Sequence, residues 1–289
     1  MKRCLACGVT FPDEPWHCPR CGHEPVRLGS FTAFAPALAD TPGGYEPGHF
    51  AKLYQLEASH FWFRARNGLI QWALRRHFPN ARSLCEIGCG TGFVLSGLQE
   101  AAPQLRLAAS EIFAEGLPFA QSRVPGARLF QMDARSIPFE DEFDVIGAFD
   151  VIEHVEEDTD VLCQMHRALK PGGGLLLTVP QHPWLWSAAD EVAHHVRRYT
   201  ASDLRQKVLD AGFRIARVTS FVSLLLPLML LSRRARPGKN PDPYDELRIG
   251  PVSNALLSAV MTVERALIRM GVSFPAGGSL LLAARRPER

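Results

Sequence analysis

The segment Ala81-Arg-Ser-Leu-Cys-Glu-Ile-Gly88-Cys-Gly90-Thr-Gly92 constrains this chain more than any other stretch. Its first half is short and apolar and reads as a buried strand, and Phe93-Val-Leu-Ser-Gly-Leu98 reads as the start of a helix. A strand, a glycine-rich turn and a helix form the first unit of a doubly wound α/β sheet, whose ligand lies beyond the strand's carboxyl end. Gly88, Gly90 and Gly92 let the backbone approach a nucleotide closely. Their spacing is tighter than the G-x-G-x-x-G turn of dinucleotide folds, and Glu86 stands two residues before the first glycine. An NAD-type dehydrogenase is the rival reading of such a turn, and local charge and spacing are what separate the two.

At 289 residues the chain has room for one enlarged domain or for a domain with an appendage. Hydrophobic residues at 46% and charged residues at 21% argue against a disordered, collagenous or membrane-spanning chain. A formal net charge of +2, with no block of one sign, lacks the basic stripe of phosphate-dominated nucleic-acid binding. The first residues lack the apolar core of a signal peptide, and the seven cysteines form no even framework, so a reducing, cytoplasmic location is expected. The longest apolar run, Phe221 to Leu231, falls short of the ~20 residues a spanning helix needs and is interrupted by Pro227.

Further landmarks follow in order. Glu86-Ile-Gly88-Cys89-Gly90-Thr-Gly92 resembles the acid-x-G-x-G-x-G motif of class I S-adenosylmethionine (SAM)-dependent methyltransferases of the type 11/12 kind. The resemblance runs along most of 82–285. Leu105 to Glu111 is similar to the second strand, whose terminal acid accepts the ribose hydroxyls, with Ile112 beside it. Phe130 to Ala134 is similar to the third, where Asp133 takes the adenine amino group. Phe143 to Val155 resembles the fourth strand and its turn, with Asp150 near the methionine end of the cofactor, and Leu169 to Pro180 the helix exit and fifth strand. The resemblance implies a Rossmann-like, doubly wound, seven-stranded sheet whose last strand, near 278–285, is antiparallel, and it implies SAM as cofactor. Residues 203–212 have the pattern of a helix and 213–219 that of a strand. The methyltransferase domain is thus expected over 81–289, with a helical insertion at 220–277 that shapes the acceptor site.

Cys4-Leu-Ala-Cys7 and Cys18-Pro-Arg-Cys21 are two CxxC pairs, each followed by glycine. Four thiolates so spaced can close a tetrahedron around a structural Zn²⁺, and four thiolates leave no open position for a catalytic water. A redox dithiol is the alternative, but the surrounding sequence has no βαβ pattern. Residues 1–30 are therefore expected to be a zinc ribbon and 31–48, rich in Pro, Gly and Ala, a linker. Residues 49–80 show interspersed apolar and charged positions, as a helical cap or helix pair would. In similar methyltransferases such a cap lies over the cofactor mouth, where Arg64 or Arg66 is a candidate for the cofactor carboxylate; the competing reading is a solvated helix face.

The acceptor side is expected after the fifth strand. Gln181-His182-Pro-Trp184-Leu-Trp186 and His194-His195-Val-Arg197-Arg198-Tyr199 combine titratable, cationic and aromatic groups in loops at strand ends. His195 is the candidate general base and Tyr199 a second catalytic candidate, with His154, His182, Trp184 and Arg198 as substrate contacts. Structurally, Arg198-Tyr199-Thr200 reads instead as a turn with Thr200 capping the next helix, and His154 as a packing residue. The Phe221–Leu231 run reads as a core or cap helix kinked at Pro227. With Arg233, Arg234, Arg236 and Lys239 behind it, it reads alternatively as a peripheral contact through 221–239 with the inner membrane surface. The favoured function is methyl transfer to a small-molecule, saccharide or lipid-linked acceptor. The runner-up is an RNA methyltransferase gripping RNA through the zinc module, which the near-neutral charge of 1–30 opposes. A third reading has that module recruit a protein partner of unknown identity.

Overall fold

The structure is a computed structural model that describes residues 1–12, 15–40, 48–235 and 248–288, with the side chains of 233–235 left aside. A short antiparallel pair, β1 (Lys2–Arg3) and β2 (Thr10–Phe11), opens the chain, and a hairpin of β3 (Val26–Leu28) and β4 (Phe31–Ala33) follows. Two helices come next, α1 (His49–Leu56) and α2 (Phe61–His77). The doubly wound part then alternates β5 (Ser83–Ile87), α3 (Phe93–Ala101), β6 (Arg106–Glu111), α4 (Leu117–Arg123), β7 (Arg128–Gln131), β8 (Phe143–Phe149), α5 (Asp158–Ala168) and β9 (Leu169–Pro180). It ends with α6 (Ala188–Val192), α7 (Ala201–Asp210), β10 (Arg214–Phe221), α8 (Leu226–Ala235), α9 (Pro251–Arg269) and β11 (Ser279–Arg285).

Among the described residues the main sheet has nine strands in the order β10-β11-β9-β8-β5-β6-β7-β4-β3. β11 runs antiparallel to both β9 and β10. The strands are apolar on both faces because both faces are covered. Leu84, Val145, Leu176 and Leu281 face one layer with Leu69, Ile70, Leu95 and Leu117 of the helices. Their neighbours Cys85, Ile146, Leu177 and Leu282 face the opposite layer with Val161, Leu162, Leu204 and Val208. β5 has β6 on one side and β8 on the other, so the winding reverses there and opens a crevice at the carboxyl ends of the strands.

Three expectations are altered. The sheet carries two strands beyond seven. They come from the N-terminal part, where β4 pairs in parallel with β7 through Thr32 with Phe130 and Ala33 with Gln131. The stretch read as a linker therefore begins as a sheet strand; its Pro, Gly and Ala content hid a strand of only three residues. Phe34 and Trp16 pack with Phe139, ring centroids 6.4 and 5.6 Å away, and so hold the cysteine module on the sheet. Pro227 does not kink a helix. It is the second residue of α8, where a missing amide N–H costs no intrahelical bond, and Phe221 to Leu225 form the end of β10 and the turn after it. Arg236 and Lys239 lie outside the described residues, as do the side chains of Arg233 and Arg234.

Within the insertion, α9 packs against α2. Asn254 accepts the Phe61 amide at 2.8 Å and donates to the Ser59 carbonyl at 3.0 Å. Glu264, buried on α9, accepts the amides of Val222, Ser223 and Leu224 at 2.6 to 2.7 Å, fixing the turn between β10 and α8. Among the described residues no helix is long and apolar enough to cross a membrane.

Candidate functional site

Gly88, Gly90 and Gly92 carry the chain from β5 into α3 in left-handed backbone, with φ of 67°, 53° and 76°. A Cβ on Gly88 would meet the Val151 side chain at 2.6 Å, and one on Gly92 would meet the Ala120 backbone at 2.8 Å. Position 92 thus excludes any other residue on both backbone and packing grounds.

Acids close the strand ends around this turn. Glu111, the last residue of β6, accepts the Gly90 amide on one oxygen at 2.8 Å and the Ile112 and Phe113 amides on the other at 2.9 and 3.2 Å. A carboxylate offers about four lone pairs, so one acceptor position remains for a ligand hydroxyl. Burial pushes its pKa up against the pull of those amides. Asp133, two residues past β7, is held by the Arg135 guanidinium at 2.9 to 3.1 Å and by the Arg135 amide, and buried Ala134 follows it. Asp150, with φ of 58°, follows β8 and ion-pairs with Arg66. Glu86, in β5, is 2% exposed with Oε2 unpartnered, and burial drives its pKa well above the carboxylate range.

Arg66 and Arg64 part company here. Two residues apart on a helix they point about 200° from one another. Arg66 turns inward, its Cζ 4.5 Å from the Trp62 ring centroid, and its buried Nε has no hydrogen-bond partner. Arg64 is exposed and lines a cleft of about 380 Å³ between α2, α3 and α9, away from Asp150. The helix pair is locked to the glycine turn from above. Glu57 accepts from the Thr91 hydroxyl at 2.5 Å and from Arg123 at 2.6 Å, while Arg123 also donates to the Tyr54 carbonyl at 2.9 Å. Phe50, 3% exposed, packs over Gly90 and Gly116.

On the other side of Asp150 the chain makes a short 3-10 turn, Ile152–His154. His195 meets it, with ring centroids of His154 and His195 4.8 Å apart, edge to face. Asp190 receives His195 Nδ1 at 2.8 Å, and the same carboxylate accepts the Ser187 amide and hydroxyl at the start of α6. Burial and the neighbouring His195 push His154 down to about 4. Glu153 is fully buried, and neither of its oxygens has a hydrogen-bond partner from another residue; burial, then Asp150, raises its pKa. His182, with φ of 63°, stacks on Trp184 at 4.7 Å between centroids, and Trp184 is 58% exposed.

Two of the expected acceptor-side residues are engaged in the scaffold instead. Tyr199 is fully buried and donates to Asp158 at 2.7 Å, and burial holds it as a neutral phenol. Arg198, also buried, donates to the carbonyls of Gln181, Leu185 and Gly278. An isolated parallel bridge between Gln181 and Tyr199 holds this segment against the end of β9. Thr200 caps α7 by accepting the Asp203 amide at 3.0 Å.

The four N-terminal cysteines come together. Cys4 and Cys21 sulfurs are 3.6 Å apart, as are those of Cys7 and Cys18, and all four lie within 4.8 Å of one another. A zinc tetrahedron with arms of ~2.3 Å has edges of ~3.8 Å, so the set fits that ion. Although burial opposes it, amides of Cys21 and Arg20 and the thiols of Cys21 and Cys7 bring Cys18 down to about 6.

Several groups in these sites were not singled out by sequence reading. Glu153 stands directly before His154, and Asp190 completes a Ser187-x-x-Asp190 capping pattern five residues before His195; both were legible signals. The Glu57–Thr91–Arg123 contact and Gln131 have no local signature, because their partners come from distant segments. Gln131 donates to the carbonyls of Ala35 and Ile112, each at 2.8 Å, and accepts the Ala35 amide at 3.1 Å.

A probable SAM-dependent methyltransferase of Mycobacterium tuberculosis is 27% identical over 161 residues, 55% of this chain and 57% of that protein, so the chain spans little over half of this relative. A ubiquinone biosynthesis O-methyltransferase of Ruegeria pomeroyi is 28% identical over 191 residues, 61% of this chain and 72% of the relative. Among solved structures, the complex between the Haloferax volcanii Trm112 methyltransferase activator and a methyltransferase gives a TM-score of 0.55 at 17% identity, covering 83% of this chain and 95% of that one. That likeness shows the fold. The family described as a methyltransferase domain matches residues 54–218, more than half of the sequence, and the chain belongs to it.

Proposed function

We propose that the protein transfers the methyl group of SAM to a small-molecule acceptor docked between the turn after β8 and the loops after β9. One observation carries this reading: four adjacent strands, β5 to β8, end in Glu86, Glu111, Asp133 and Asp150 around one glycine turn, and Glu86 Oε2 and Arg66 Nε stand buried without partners. A zwitterionic amino-acid end suits that pair, Glu86 for its ammonium and Arg66 for its carboxylate. Glu111 keeps an acceptor position for the ribose hydroxyls, and Asp133 with the Ala134 amide faces the base. When bound, SAM supplies an electrophilic methyl on a sulfonium. The chain's own work is then alignment and exclusion of water, for which Phe50 and the Glu57–Thr91–Arg123 lock form a lid.

His154, His182, Trp184 and His195 form the acceptor side, with Asp190 fixing His195. Leu224, Leu228, Leu231, Val252 and Leu256 are exposed on the insertion, which supports an acceptor with an apolar tail or one presented at a membrane surface. Zn²⁺ in the Cys4, Cys7, Cys18, Cys21 set is structural in this reading. The test has two stages. Calorimetry should show one SAM per chain, with Glu86→Gln and Glu111→Ala each weakening binding at least tenfold. Radiolabelled SAM with a bacterial lysate, fractionated into lipid, small-molecule, RNA and protein pools, should then place label in the lipid or small-molecule pool; label in RNA alone would overturn the acceptor assignment.

A further inference from the structure

We propose that Glu153, His154 and His195 form a divalent-cation site on the acceptor side, one that takes a transition-metal ion and leaves positions open for oxygen atoms of the acceptor. The carboxylate of Glu153 and one nitrogen of each imidazole lie within 4.8 Å of one another. Arms of about 2.1 Å bring such ligands to ~3.0–3.5 Å separations, a side-chain-scale adjustment for groups on a turn and a loop.

Glu153 is the independent observation. A fully buried carboxylate with neither oxygen hydrogen-bonded by another residue lacks what buried charge requires, a paired partner or a metal. It stands next to two imidazoles rather than among acids alone, and two His with one carboxylate is the donor set of Fe²⁺, Mn²⁺, Co²⁺ and Zn²⁺ sites with open positions. The surroundings of His195 match as well. Its Nδ1 is engaged by Asp190 at 2.8 Å, which fixes the ring and presents Nε2, the carboxylate–histidine–metal arrangement that orients a ligand. This set differs in kind from the cysteine cluster, whose four soft donors close their ion off.

The site lies three residues past Asp150, at the methionine end of the proposed SAM site. The inference rests on the acceptor side named above and assigns His195 there as a ligand rather than a free base. It points to acceptors that offer paired oxygens, such as vicinal diols or hydroxy acids, which complete the coordination sphere.

The test uses full-length protein with its cysteine cluster loaded with one zinc. Mn²⁺ is titrated and followed by the loss of its free-ion EPR signal, because a hard ion competes poorly for thiolates. One Mn²⁺ per chain is expected, with affinity reduced at least tenfold in Glu153→Gln and His195→Gln and ten- to a hundredfold in Asp190→Asn. SAM binding by calorimetry and zinc content are read on every sample. His154→Gln, at a less buried position, is the second variant should Glu153→Gln fold poorly. No stoichiometric Mn²⁺ in wild-type protein, or equal binding by variants that keep zinc and SAM, overturns the site. Loss of SAM binding in wild-type protein would instead sink the methyltransferase reading and leave the cation result standing.

Discussion

Gln131→Leu tests whether the cysteine module braces the cofactor site. The substitution keeps nearly the same volume in a position that is fully buried, so packing changes little while the side-chain amide disappears. Two main-chain groups, the Ala35 amide and the Ile112 carbonyl, lose their partner, while the Ala35 carbonyl keeps the Leu38 amide at 2.9 Å. A buried group left unsatisfied costs about 1–3 kcal/mol. Ala35 and Ile112 are half-buried, so water reaches them in part and the low end applies to each, for a total of about 2 kcal/mol. The ladder between β4 and β7 stays, because the Phe34 amide still donates to the Gln131 carbonyl at 2.8 Å. With a urea m value of about 3 kcal/mol/M for a chain of this size, the midpoint should fall by roughly 0.7 M at unchanged m. Ile112 adjoins Glu111, so SAM affinity measured by calorimetry should weaken about three- to tenfold. An unchanged midpoint together with an unchanged SAM affinity would refute the brace.

Asp158 is buried, which works to raise its pKa, but hydrogen bonds from Lys207, Tyr199 and Arg197 outweigh this and hold it below the usual range. The stability it contributes is therefore present above the unfolded pKa of ~3.9 and lost as pH falls through the lower folded value. Asp158→Asn should cost about 2 kcal/mol at pH 7, discounted for partial screening, and the gap should shrink below pH 4; a pH-independent gap in thermal melts argues against it. Glu86 works in the opposite sense: its folded pKa is raised by burial, so its cost grows as pH rises above the unfolded value. Glu86→Gln should melt higher than wild type at pH 8, by about 1 kcal/mol, and level with it near pH 4, and a lower melting point at pH 8 counts against an unpaired Glu86. Finally, Cys18→Ser should abolish stoichiometric zinc by elemental analysis and lower the melting temperature, whereas zinc-free protein of unaltered stability would show that the module contributes nothing to the fold.

Strand and helix order was legible because each unit of the doubly wound sheet is local. Ser83–Ile87 is a five-residue buried strand that meets its glycines within one segment, and the acids at strand ends follow the same rule. The β3–β4 hairpin was not legible, since three-residue strands carry no periodicity and their pairing with β7 depends on Trp16 and Phe34 meeting Phe139 from far along the chain. The helical cap was readable, but which arginine faces inward was a question of helix phase, set by the packing of Trp62 and Phe63 rather than by the arginines themselves. At the acceptor loop the residue types were informative and their directions were not. Arg198 and Tyr199 look chemical in sequence yet turn into the core, while Glu153, between Ile152 and His154, carries the unsatisfied carboxyl group.

The pairing of β4 with β7 has a kinetic side. A parallel strand at the rim of a sheet displays unpaired amides and carbonyls to any chain that can lie beside it. Here the occupant belongs to the same chain, so it is present at the rim at an effective concentration in the ~mM range. A competing strand from another molecule would have to reach that concentration to displace it. The β7 rim thus stays covered at all ordinary protein concentrations, and the outermost strand on that side of the sheet is β3.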